Sequence, residues 1–426
     1  MSTMTGIRQE RAAATRKRIL SAAHDLFVSR GYRATSLRDI AAAAGISHPG
    51  LLGHFATKDA LLAEVVAELE DANIAVLNEI VAAAEPGSLA LGEVAARNAG
   101  TEGYLELFAA LTGEASSPDH PAHERMRTRY ERLRALTTEV VEDAIFHGVV
   151  SPDRDPAQET VRHMAGWDGL QLLAQYLPDR IDVVEMLEER ESLWAAPYGW
   201  RDPEDPAPAQ DPAGPLPPLI INALQESTPS DAAGYAAGRR RRTRIVTDAT
   251  QLFARSGYGD TSLREIADAV GVSKSTLLHH YPSKELLLGA VLAERDEALR
   301  RQGGESRATR ASEQLREIAA GARRNSEQEP GLIEVYAVLS CEAVPPAHPA
   351  HEYFASRFGH GIDYFTALFR LAQADGDLPV HRDPEHEAIW LVALWDGLQY
   401  QWLYDRDAVD IGAHLAAHLD DVLPRH

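Results

Sequence analysis

The chain has 426 residues, more than one hydrophobic core usually organises, so its length favours two or more domains. Hydrophobic residues make up 45% and charged residues 25% of it, which is typical of a soluble globular protein. It has no run of about 18 uncharged apolar residues and begins with a polar run, so we expect neither membrane insertion nor secretion. The single Cys341 excludes an internal disulfide framework and favours a cytoplasmic protein with a small, buried, unreactive thiol.

Charge is unevenly distributed along the chain. The formal net charge is −22, but residues 1–60 carry +5 and residues 235–286 carry +4, which leaves −31 for the remainder. Because the distribution of charge rather than its sum governs binding to phosphates, the overall acidity does not exclude nucleic acid. Two basic islands in an acidic protein indicate local DNA-binding regions attached to bodies that do not bind DNA.

The sequence contains an internal duplication. Phe27–Leu62 aligns with Phe253–Leu288 at a constant offset of 226, and 18 of these 36 positions are identical. The repeat returns at an offset of 228, where Glu114–Glu124 matches Glu342–Glu352 and the pentapeptide WDGLQ at 167 recurs at 395. Because the offset changes by only two residues, we infer that one whole unit is present twice.

A Pro-rich stretch separates the two copies. Residues 197–218 read PYGWRDPEDPAPAQDPAGPLPP, which cannot form a regular helix because proline removes backbone donors and clashes with the preceding turn. We predict an extended, semi-rigid linker over residues 197–238, with an apolar patch at Leu219, Ile220 and Ile221 that could dock onto a neighbouring surface. Elsewhere apolar residues recur with helical spacing, so the predicted fold is all-α.

Each copy begins with the signals of a helix-turn-helix. In copy one an amphipathic helix is predicted over residues 16–29, and Gly31 suits its C-cap. A second helix begins at Ser36, with an acidic side chain three residues later as in a capping box, and stops at Gly45. Ser47 then starts a third helix, which is the order typical of a helix-turn-helix. The equivalent positions of copy two are residues 242–256, Gly257, Ser262, Gly271 and Ser273.

These two regions resemble the DNA-binding domain of the TetR family. Residues 262–288 read SLREIADAVGVSKSTLLHHYPSKELLL, like the family signature, and residues 36–62 read SLRDIAAAAGISHPGLLGHFATKDALL, a diverged version. The resemblance implies two TetR-like units, each a three-helix head and a helical ligand-binding and dimerisation body, packed as an intramolecular pseudo-dimer. We place head one at 13–73, body one at 74–196, the linker at 197–238, head two at 239–299 and body two at 300–426.

The resemblance also implies roles for individual residues. The recognition helices are expected at about 47–55 and 273–281, in the major groove. In head one the expected DNA contacts are Ser36, Ser47, His48, Gly50, Leu51 and His54, with Thr35 and Lys58 on phosphates. In head two they are Ser262, Ser273, Lys274, Ser275, Thr276, His279 and His280, with Thr261 and Lys284 on phosphates. A basic arm of Arg239, Arg240, Arg241 and Arg242 is expected to follow the DNA backbone.

Two departures from the family pattern concern the heads. The family often has Tyr where this chain has Leu52 and Leu278, so one usual phosphate contact is missing from both heads. Head one also has His-Pro-Gly at 48–50 where head two has Lys-Ser-Thr at 274–276. Head one thus offers fewer polar groups to base edges, and the possibility that it keeps only phosphate contacts stays open. Because the heads differ, we expect an asymmetric operator.

For the bodies, the resemblance implies a ligand cavity and a four-helix bundle built from the last two helices of each copy. Those helices are expected at about 156–176 with 179–194, and 384–404 with 408–423. Mid-helix Gly169 and Gly397 each cost about 1 kcal/mol relative to alanine, which favours a close helix approach at the WDG segments over ligand contact. Side chains that line a pocket, or fill the core instead, are Tyr104, Phe108, Met164, Trp167, Tyr336, Tyr364, Phe365 and Trp395.

Histidine pairs raise the question of a metal site. His120 and His123 recur as His348 and His351, spaced so that each pair shares one helical face. Their neighbouring proline and glutamate favour a helix start instead, and no second cluster completes a tetrahedral set. We therefore expect no metal and no cofactor.

The sequence contains no GxSxG, P-loop, CxxC or HExxH motif, so we do not expect an enzyme. It predicts a sequence-specific regulator of transcription that binds double-stranded DNA. The resemblance implies repression controlled by a small, largely apolar effector. Two alternatives stay open: a homodimer of tandem chains with four heads, and a helical protein-interaction adaptor in which one or both heads are degenerate.

Overall fold

The computed structural model describes residues 2–32, 35–101, 103–218, 236–303 and 307–424. All regular elements in these residues are α-helices, which confirms the predicted fold class. Copy one contains α1 (Ser2–Arg30), α2 (Leu37–Ala43), α3 (His48–Leu52), α4 (Lys58–Ala83), α5 (Leu91–Ala99), α6 (Tyr104–Glu114), α7 (His123–Phe146), α8 (Pro156–Tyr176) and α9 (Val183–Leu193). Copy two contains α10 (Ala236–Asp260), α11 (Leu263–Val270), α12 (Lys274–His280), α13 (Lys284–Gly303), α14 (Ala311–Gln328), α15 (Pro330–Glu342), α16 (His351–Ala374), α17 (Pro384–Tyr404) and α18 (Ile411–Val422).

The first helix of each copy starts earlier than the amphipathic pattern predicts. α1 begins at Ser2 and α10 at Ala236; the residues added to α10 are mainly Ala and Arg, which are strong helix formers, and those added to α1 include Ala, Arg, Gln, Glu and Met, which also favour helix. Gly31 has a φ of +81° directly after α1. Gly257, with a φ of +71° and a ψ of 172°, interrupts the helical conformation inside α10 at the equivalent place. Both glycines therefore act as the sequence predicts, as left-handed residues that turn the chain towards the next helix.

The second helix of each head is fixed by a capping box. The Ser36 side chain accepts the amide N–H of Asp39 at 3.2 Å, and the Ser36 amide donates to the Asp39 carboxylate at 3.1 Å. Ser262 and Glu265 repeat this arrangement in copy two, at 3.2 and 2.7 Å. These reciprocal bonds satisfy donors that a helix N-terminus otherwise leaves unpaired, so both heads start their second helix at the same register.

The two bodies meet where α8 crosses α17. A Cβ at Gly169 would lie 1.9 Å from the carbonyl oxygen of Ala393, and a Cβ at Gly397 would lie 1.7 Å from that of Ala165. Both distances are far inside van der Waals contact, so only glycine allows the two backbones to come this close. The mid-helix glycines thus mark a close approach of the copies, as the sequence predicts.

Matched hydrogen bonds reinforce the contact between the bodies. Tyr176 of α8 donates to the carbonyl oxygen of Ser340 at 2.5 Å, and Tyr404 of α17 donates to that of Thr112 at 2.8 Å. The two bonds are related by the offset of 228. They connect the end of one copy's crossing helix to α6 or α15 of the other copy.

The described part of the linker, residues 197–218, starts on copy one, where the Tyr198 amide donates to Asp153 at 3.0 Å, and continues along copy two. Its amide groups at Gly199 and Ala209 donate to Asp421 and to the Asp375 carbonyl, both at 2.7 Å, and Arg201 donates to the Gly376 carbonyl at 2.6 Å. The predicted absence of helix is observed, but this part is anchored at several points rather than a free spacer. The predicted apolar patch at 219–221 lies outside the described residues.

Candidate nucleic-acid interface and ligand cavity

The predicted recognition helix of head one is α3, which is only five residues long. Ser47 caps it by accepting the amide N–H of Gly50 at 3.2 Å, and Pro49 occupies its first turn. Ser47 and Gly50 are exposed, and His48 and His54 are half-buried. Leu51, in contrast, is fully buried, so the expectation that its side chain faces DNA is wrong: it anchors α3 to the head's hydrophobic core.

The predicted recognition helix of head two, α12, presents more polar groups. Ser273 caps it by accepting the amide N–H of Thr276 at 3.1 Å, and its hydroxyl lies 2.8 Å from the hydroxyls of both Ser275 and Thr276. The side chains of Ser273, Lys274, Ser275 and His279 are exposed, and those of Thr276 and His280 are half-buried. Burial, followed by the charges of His279, Arg242 and Arg241, lowers the pKa of His280. This face offers an ammonium, hydroxyls and imidazoles to a ligand outside the protein.

Two side chains that were predicted to contact phosphate are buried and cannot reach a ligand outside the protein. Thr35 and Thr261 are 1% and 2% exposed, and their hydroxyls donate to the carbonyls of Gly31 and Gly257 at 2.8 and 2.7 Å. The expectation that these hydroxyls bind phosphate is therefore wrong. They tie the loop after the first helix back onto that helix. Ser36 and Ser262 are exposed, with their amide groups engaged in the capping boxes.

The two predicted phosphate-binding lysines contact the end of the first helix. Lys58 donates to the carbonyls of Tyr32 and Thr35 at 2.9 and 3.0 Å, and Lys284 donates to that of Gly259 at 3.2 Å. Each ammonium also lies 4.2 Å from the ring centroid of a tyrosine, Tyr32 or Tyr258. Both lysines are half-buried, so they hold the head together, and phosphate binding by them stays a prediction.

The basic arm forms the first turns of α10 and is not a separate extended segment. Arg240 and Arg241 are exposed, and Arg242 stacks over the Tyr281 ring at 5.4 Å. Arg16 makes the equivalent contact with Phe55 in head one, at 4.5 Å. The side chain of Arg239 lies outside the described residues.

Each head packs against its body and is also hydrogen-bonded to one body glutamate, a residue that the sequence pattern did not indicate. Glu114, the last residue of α6, accepts the amide N–H of Tyr32 at 3.1 Å. Glu342, the last residue of α15, accepts the amide N–H groups of Tyr258 and Gly259, both at 2.5 Å. We call these contacts the head–body latches. Their signal in the sequence is the recurrence of EASSPDHPAHE as EAVPPAHPAHE, which each begin with this glutamate.

Body one contains a cavity of about 110 Å³. Four of the eight predicted pocket side chains, Tyr104, Phe108, Met164 and Trp167, line it. Trp167 thus faces the cavity, while the glycine two residues later provides the close helix contact. Copy two also contributes to this cavity, through Cys341 and Tyr400, which no pattern in the sequence indicates. Burial raises the pKa of Cys341 to about 12, so its thiol is neutral and unreactive, as expected.

The cavity at the equivalent place in body two is much smaller than the cavity in body one. A cavity of about 20 Å³ lies there beside Trp395, the counterpart of Trp167. Of the other predicted pocket residues, Tyr336 and Phe365 are buried in the core and Tyr364 packs against it. For these three side chains the core interpretation fits the structure better than the pocket interpretation.

The histidine pairs act as helix-start elements. Nδ1 atoms of His123 and His351 lie 2.8 and 3.0 Å from the carbonyls that cap α6 and α15. His120 and His348 each accept a backbone N–H at 3.2 Å. Among the described residues, no group of three or more His, Cys, Asp or Glu side chains is arranged to hold a metal ion. The helices begin at His123 and His351, two residues later than the prolines suggested.

Comparison with known proteins identifies the heads. The sequence profile of "Bacterial regulatory proteins, tetR family" matches residues 19–65 and again residues 245–291. The DNA-binding domain of the TetR family is therefore matched twice in this chain, in agreement with the duplication seen in the sequence.

Several curated TetR relatives match part of the chain. The HTH-type transcriptional repressor KstR2 of Rhodococcus jostii is 38% identical over 65 residues, or 15% of this chain and 32% of KstR2. The repressor Rv3405c of Mycobacterium tuberculosis is 50% identical over 62 residues, or 15% and 31%. The chain thus spans about a third of the length of these relatives. The regulator SrpR of Pseudomonas putida is 25% identical over 172 residues, or 40% of this chain and 79% of SrpR.

Among solved structures, Salmonella enterica GusR is 26% identical to this chain, with a TM-score of 0.36. The match covers 44% of this chain and 96% of the GusR chain. The relatives named are regulators of transcription rather than enzymes. Across the described ranges, no helix combines the length and apolarity needed to cross a membrane.

Proposed function

We propose that this chain is a TetR-family DNA-binding transcriptional repressor whose two heads read two unlike half-sites of one asymmetric operator. The observation that carries the proposal is the pair of capped recognition helices, α3 and α12, whose exposed faces differ while their anchoring is the same. In each head one leucine, Leu51 or Leu277, is fully buried beneath the helix and fixes its outer face. A short helix held in this way can lie in the major groove.

We further propose that the two copies pair within one chain. Trp390 of α17 is buried against Gly166 of α8, where a Cβ would lie 2.5 Å from Trp390 Cζ2. By the repeat offset, Arg162 and Leu394 occupy the reciprocal positions. Pairing copy two with another copy two would set Trp390 against a leucine, where there is no room for it. This complementarity favours pairing of unlike copies, and the anchored linker favours that pairing within a chain.

Light scattering tests this arrangement. The pseudo-dimer predicts the mass of one chain, 46.5 kDa, at concentrations where DNA binding is measured. Twice that mass would indicate the alternative, a dimer of tandem chains with four heads, and would contradict pairing within the chain.

An effector bound in body one would control the heads through the latches. α6 lines the cavity with Tyr104 and Phe108 and ends at Glu114, which contacts head one. Movement of α6 on ligand binding therefore alters the position of head one. The effector needs only a different affinity for the DNA-fitting and non-fitting arrangements to shift the equilibrium between them.

Selection of bound fragments from a random DNA pool tests the asymmetric operator. We expect two unlike half-sites separated by about one helical turn. Replacing His48→Lys, Pro49→Ser and Gly50→Thr gives head one the first-turn residues of head two, and should shift its half-site towards that of head two. An inverted repeat selected by the unchanged protein would contradict unlike readout by the two heads.

Lys274→Ala provides the matched test of head two. Lys274 is exposed on the first turn of α12, so its loss should weaken operator binding by roughly 1–3 kcal/mol, or about fivefold to 150-fold. The matched control is His48→Ala in head one, which should weaken the other half-site. DNA binding that is insensitive to both substitutions would favour the alternative of an adaptor with degenerate heads.

A further inference from the structure

The two copies differ most in the interior of their bodies. We infer that the part of the chain that the structure describes has a single effector cavity, in body one and completed by copy two, which takes one neutral, mainly apolar molecule bearing a hydrogen-bonding group. This inference rests on the proposed function for its regulatory meaning, but the cavity and its chemistry stand on contacts of their own.

The sizes of the two cavities support a single site. A space of about 20 Å³ holds about one water molecule, whereas an engineered apolar cavity of roughly 150 Å³ is enough to bind benzene. The cavity of about 110 Å³ in body one is on the scale of a small ring compound. Body two therefore lacks the room at the equivalent place that body one provides.

Substitutions between the copies explain why body two is filled. Arg295 stands where copy one has Leu69, and Tyr336 stands where copy one has Phe108. The Arg295 guanidinium lies 3.3 Å from the centroid of the Tyr336 ring. Phe365, 9% exposed, replaces Thr137, which lines the cavity of body one. Phe365 thus takes the place of a smaller threonine of the cavity wall, and Arg295 adds a guanidinium beside the small cavity of body two.

A hydrogen-bonded network holds this filling in place. The Tyr353 hydroxyl donates to both oxygens of Asp296 at 3.0 Å, and Arg357 forms an ion pair with the same carboxylate. Arg357 also donates to the Tyr336 hydroxyl at 3.3 Å. Opening body two to a ligand would break these buried bonds, which carries a free-energy cost.

Three buried nitrogen atoms in the wall of the body-one cavity lack hydrogen-bond partners. They are both ring nitrogens of His163, which is 1% exposed, and the indole Nε1 of Trp167. Buried polar atoms are usually paired because leaving one unpaired costs about 1–3 kcal/mol. A ligand hydroxyl could accept from the indole N–H and donate to the imidazole. Copy two has Leu391 in place of His163, so this polar site belongs to body one alone.

The charged groups around the cavity favour a neutral occupant. The Tyr130 hydroxyl donates to Asp168 at 2.9 Å, and Arg129 lies 3.9 Å from Glu70. Burial lowers the pKa of His163 to about 3, with a smaller contribution from the charge of Arg190, so its imidazole is neutral at pH 7. Arg129 therefore already faces a carboxylate and Asp168 already accepts a hydrogen bond, so an ionised ligand would have to compete with these partners.

Copy two completes this site. Tyr400 and Cys341 line the cavity, and Tyr400 also lies 3.1 Å from the Ser340 hydroxyl inside copy two. Cys341 packs against α6 so closely that a Cβ at Gly113 would lie 2.4 Å from its own Cβ. A molecule in the cavity would thus touch both copies next to the α6–α15 contact. Its affinity would therefore depend on the position of one copy relative to the other.

Calorimetric titration of the full chain with phenol and toluene tests the inference. These probes have similar shape, and only phenol carries a hydroxyl. We expect phenol to bind with a stoichiometry of one per chain and to bind Trp167→Phe about tenfold more weakly, because the indole N–H is lost. Toluene should bind the unchanged protein and Trp167→Phe equally.

Trp395→Phe in body two is the matched control and should leave phenol binding unchanged. A thermal melt of each variant checks that it is folded. Absence of phenol binding, two equivalent sites per chain, or equal phenol affinity for Trp167→Phe and the unchanged protein would each overturn the inference. None of these outcomes bears on the proposed DNA binding, which operator selection measures separately.

Discussion

Copy one and copy two share the contacts that build the scaffold and differ in the groups that would meet a ligand. Both heads keep the capping box, the buried leucine and the lysine behind the first helix, and both bodies keep the latch glutamate and the close glycine crossing. The first turns of α3 and α12 differ, and the cavity of body one is largely filled in body two. The two copies thus share the contacts that hold each unit together and differ in the exposed faces of α3 and α12 and in their cavities.

The physical reason lies in the different tolerance of these positions to change. A close-packed crossing or a buried hydrogen bond admits few substitutions, since each one leaves a clash or an unpaired group. Exposed faces and cavity walls can change residue without such a cost. The differences between the copies therefore indicate where the chain meets other molecules.

The largest expected effect is at the shared glycine crossing. Gly397→Val would place side-chain carbon where the Ala165 carbonyl oxygen lies, so we expect a loss of about 3 kcal/mol or more of unfolding free energy and a lower Tm in thermal melts followed by circular dichroism. Gly361→Ala is the control, because a Cβ there meets open space within α16, and should stabilise by up to about 1 kcal/mol. An unchanged Tm in Gly397→Val would contradict the close crossing.

A smaller, local effect is expected at the latches. Glu342→Gln keeps one acceptor oxygen but loses the charge-assisted bonds from Tyr258 and Gly259, so head two should lose about 1–3 kcal/mol of local stability. Hydrogen exchange should show faster exchange in α10–α13 and little change in α1–α4. Glu114→Gln should reverse this pattern. Equal loss of protection in both heads would argue against separate latches.

His163, which only body one has, should change the free energy of unfolding by about 1 kcal/mol between pH 7.5 and pH 5.5. The pKa of His163 is lowered by burial to about 3, against 6.5 in the unfolded chain. Between these two pH values the unfolded chain binds a proton at His163 that the folded chain does not bind. The contribution of His163 to the free energy of unfolding is therefore highest above pH 6.5 and decreases as the pH falls below it.

His163→Leu installs the residue of copy two and removes this decline. Between pH 7.5 and pH 5.5 the variant should lose about 1 kcal/mol less stability than the unchanged protein in denaturant titrations. Met164→Leu, which alters the same wall without a titrating group, should keep the original pH dependence. The same slope in His163→Leu and the unchanged protein would mean that this imidazole does not stay neutral.

The smallest effect is expected at a position where both heads lack the usual family tyrosine. Leu52 is 42% exposed on α3, so Leu52→Tyr can add a hydroxyl contact to phosphate and tighten operator binding by about threefold. The dependence of affinity on salt should stay unchanged, because a neutral hydroxyl releases no additional counterions. Leu52→Phe, without the hydroxyl, should bind like the unchanged protein in fluorescence anisotropy titrations.

Much of the architecture could be predicted from the sequence because its determinants are local. Serines followed by acidic residues three positions later start α2 and α11, and glycines with positive φ follow these helices, so both are found close to where the pattern places them. Serine N-caps alone set the start of α3 and α12. α8 and α17 match their predicted bounds because proline after aspartate fixes their N-termini. The duplication was evident from residue identity alone.

Only the tertiary structure decided which side chains are available to a ligand. Thr35, Thr261 and Leu51 fit a DNA-contacting pattern in the sequence, but their burial depends on packing between helices that are distant along the chain. Four side chains of the cavity wall were predicted, but the size of the cavity and its restriction to body one were out of reach, since they depend on volumes contributed by several helices and by both copies. Local backbone preferences determine where a helix starts and stops, whereas the space left between packed helices is a property of the whole assembly.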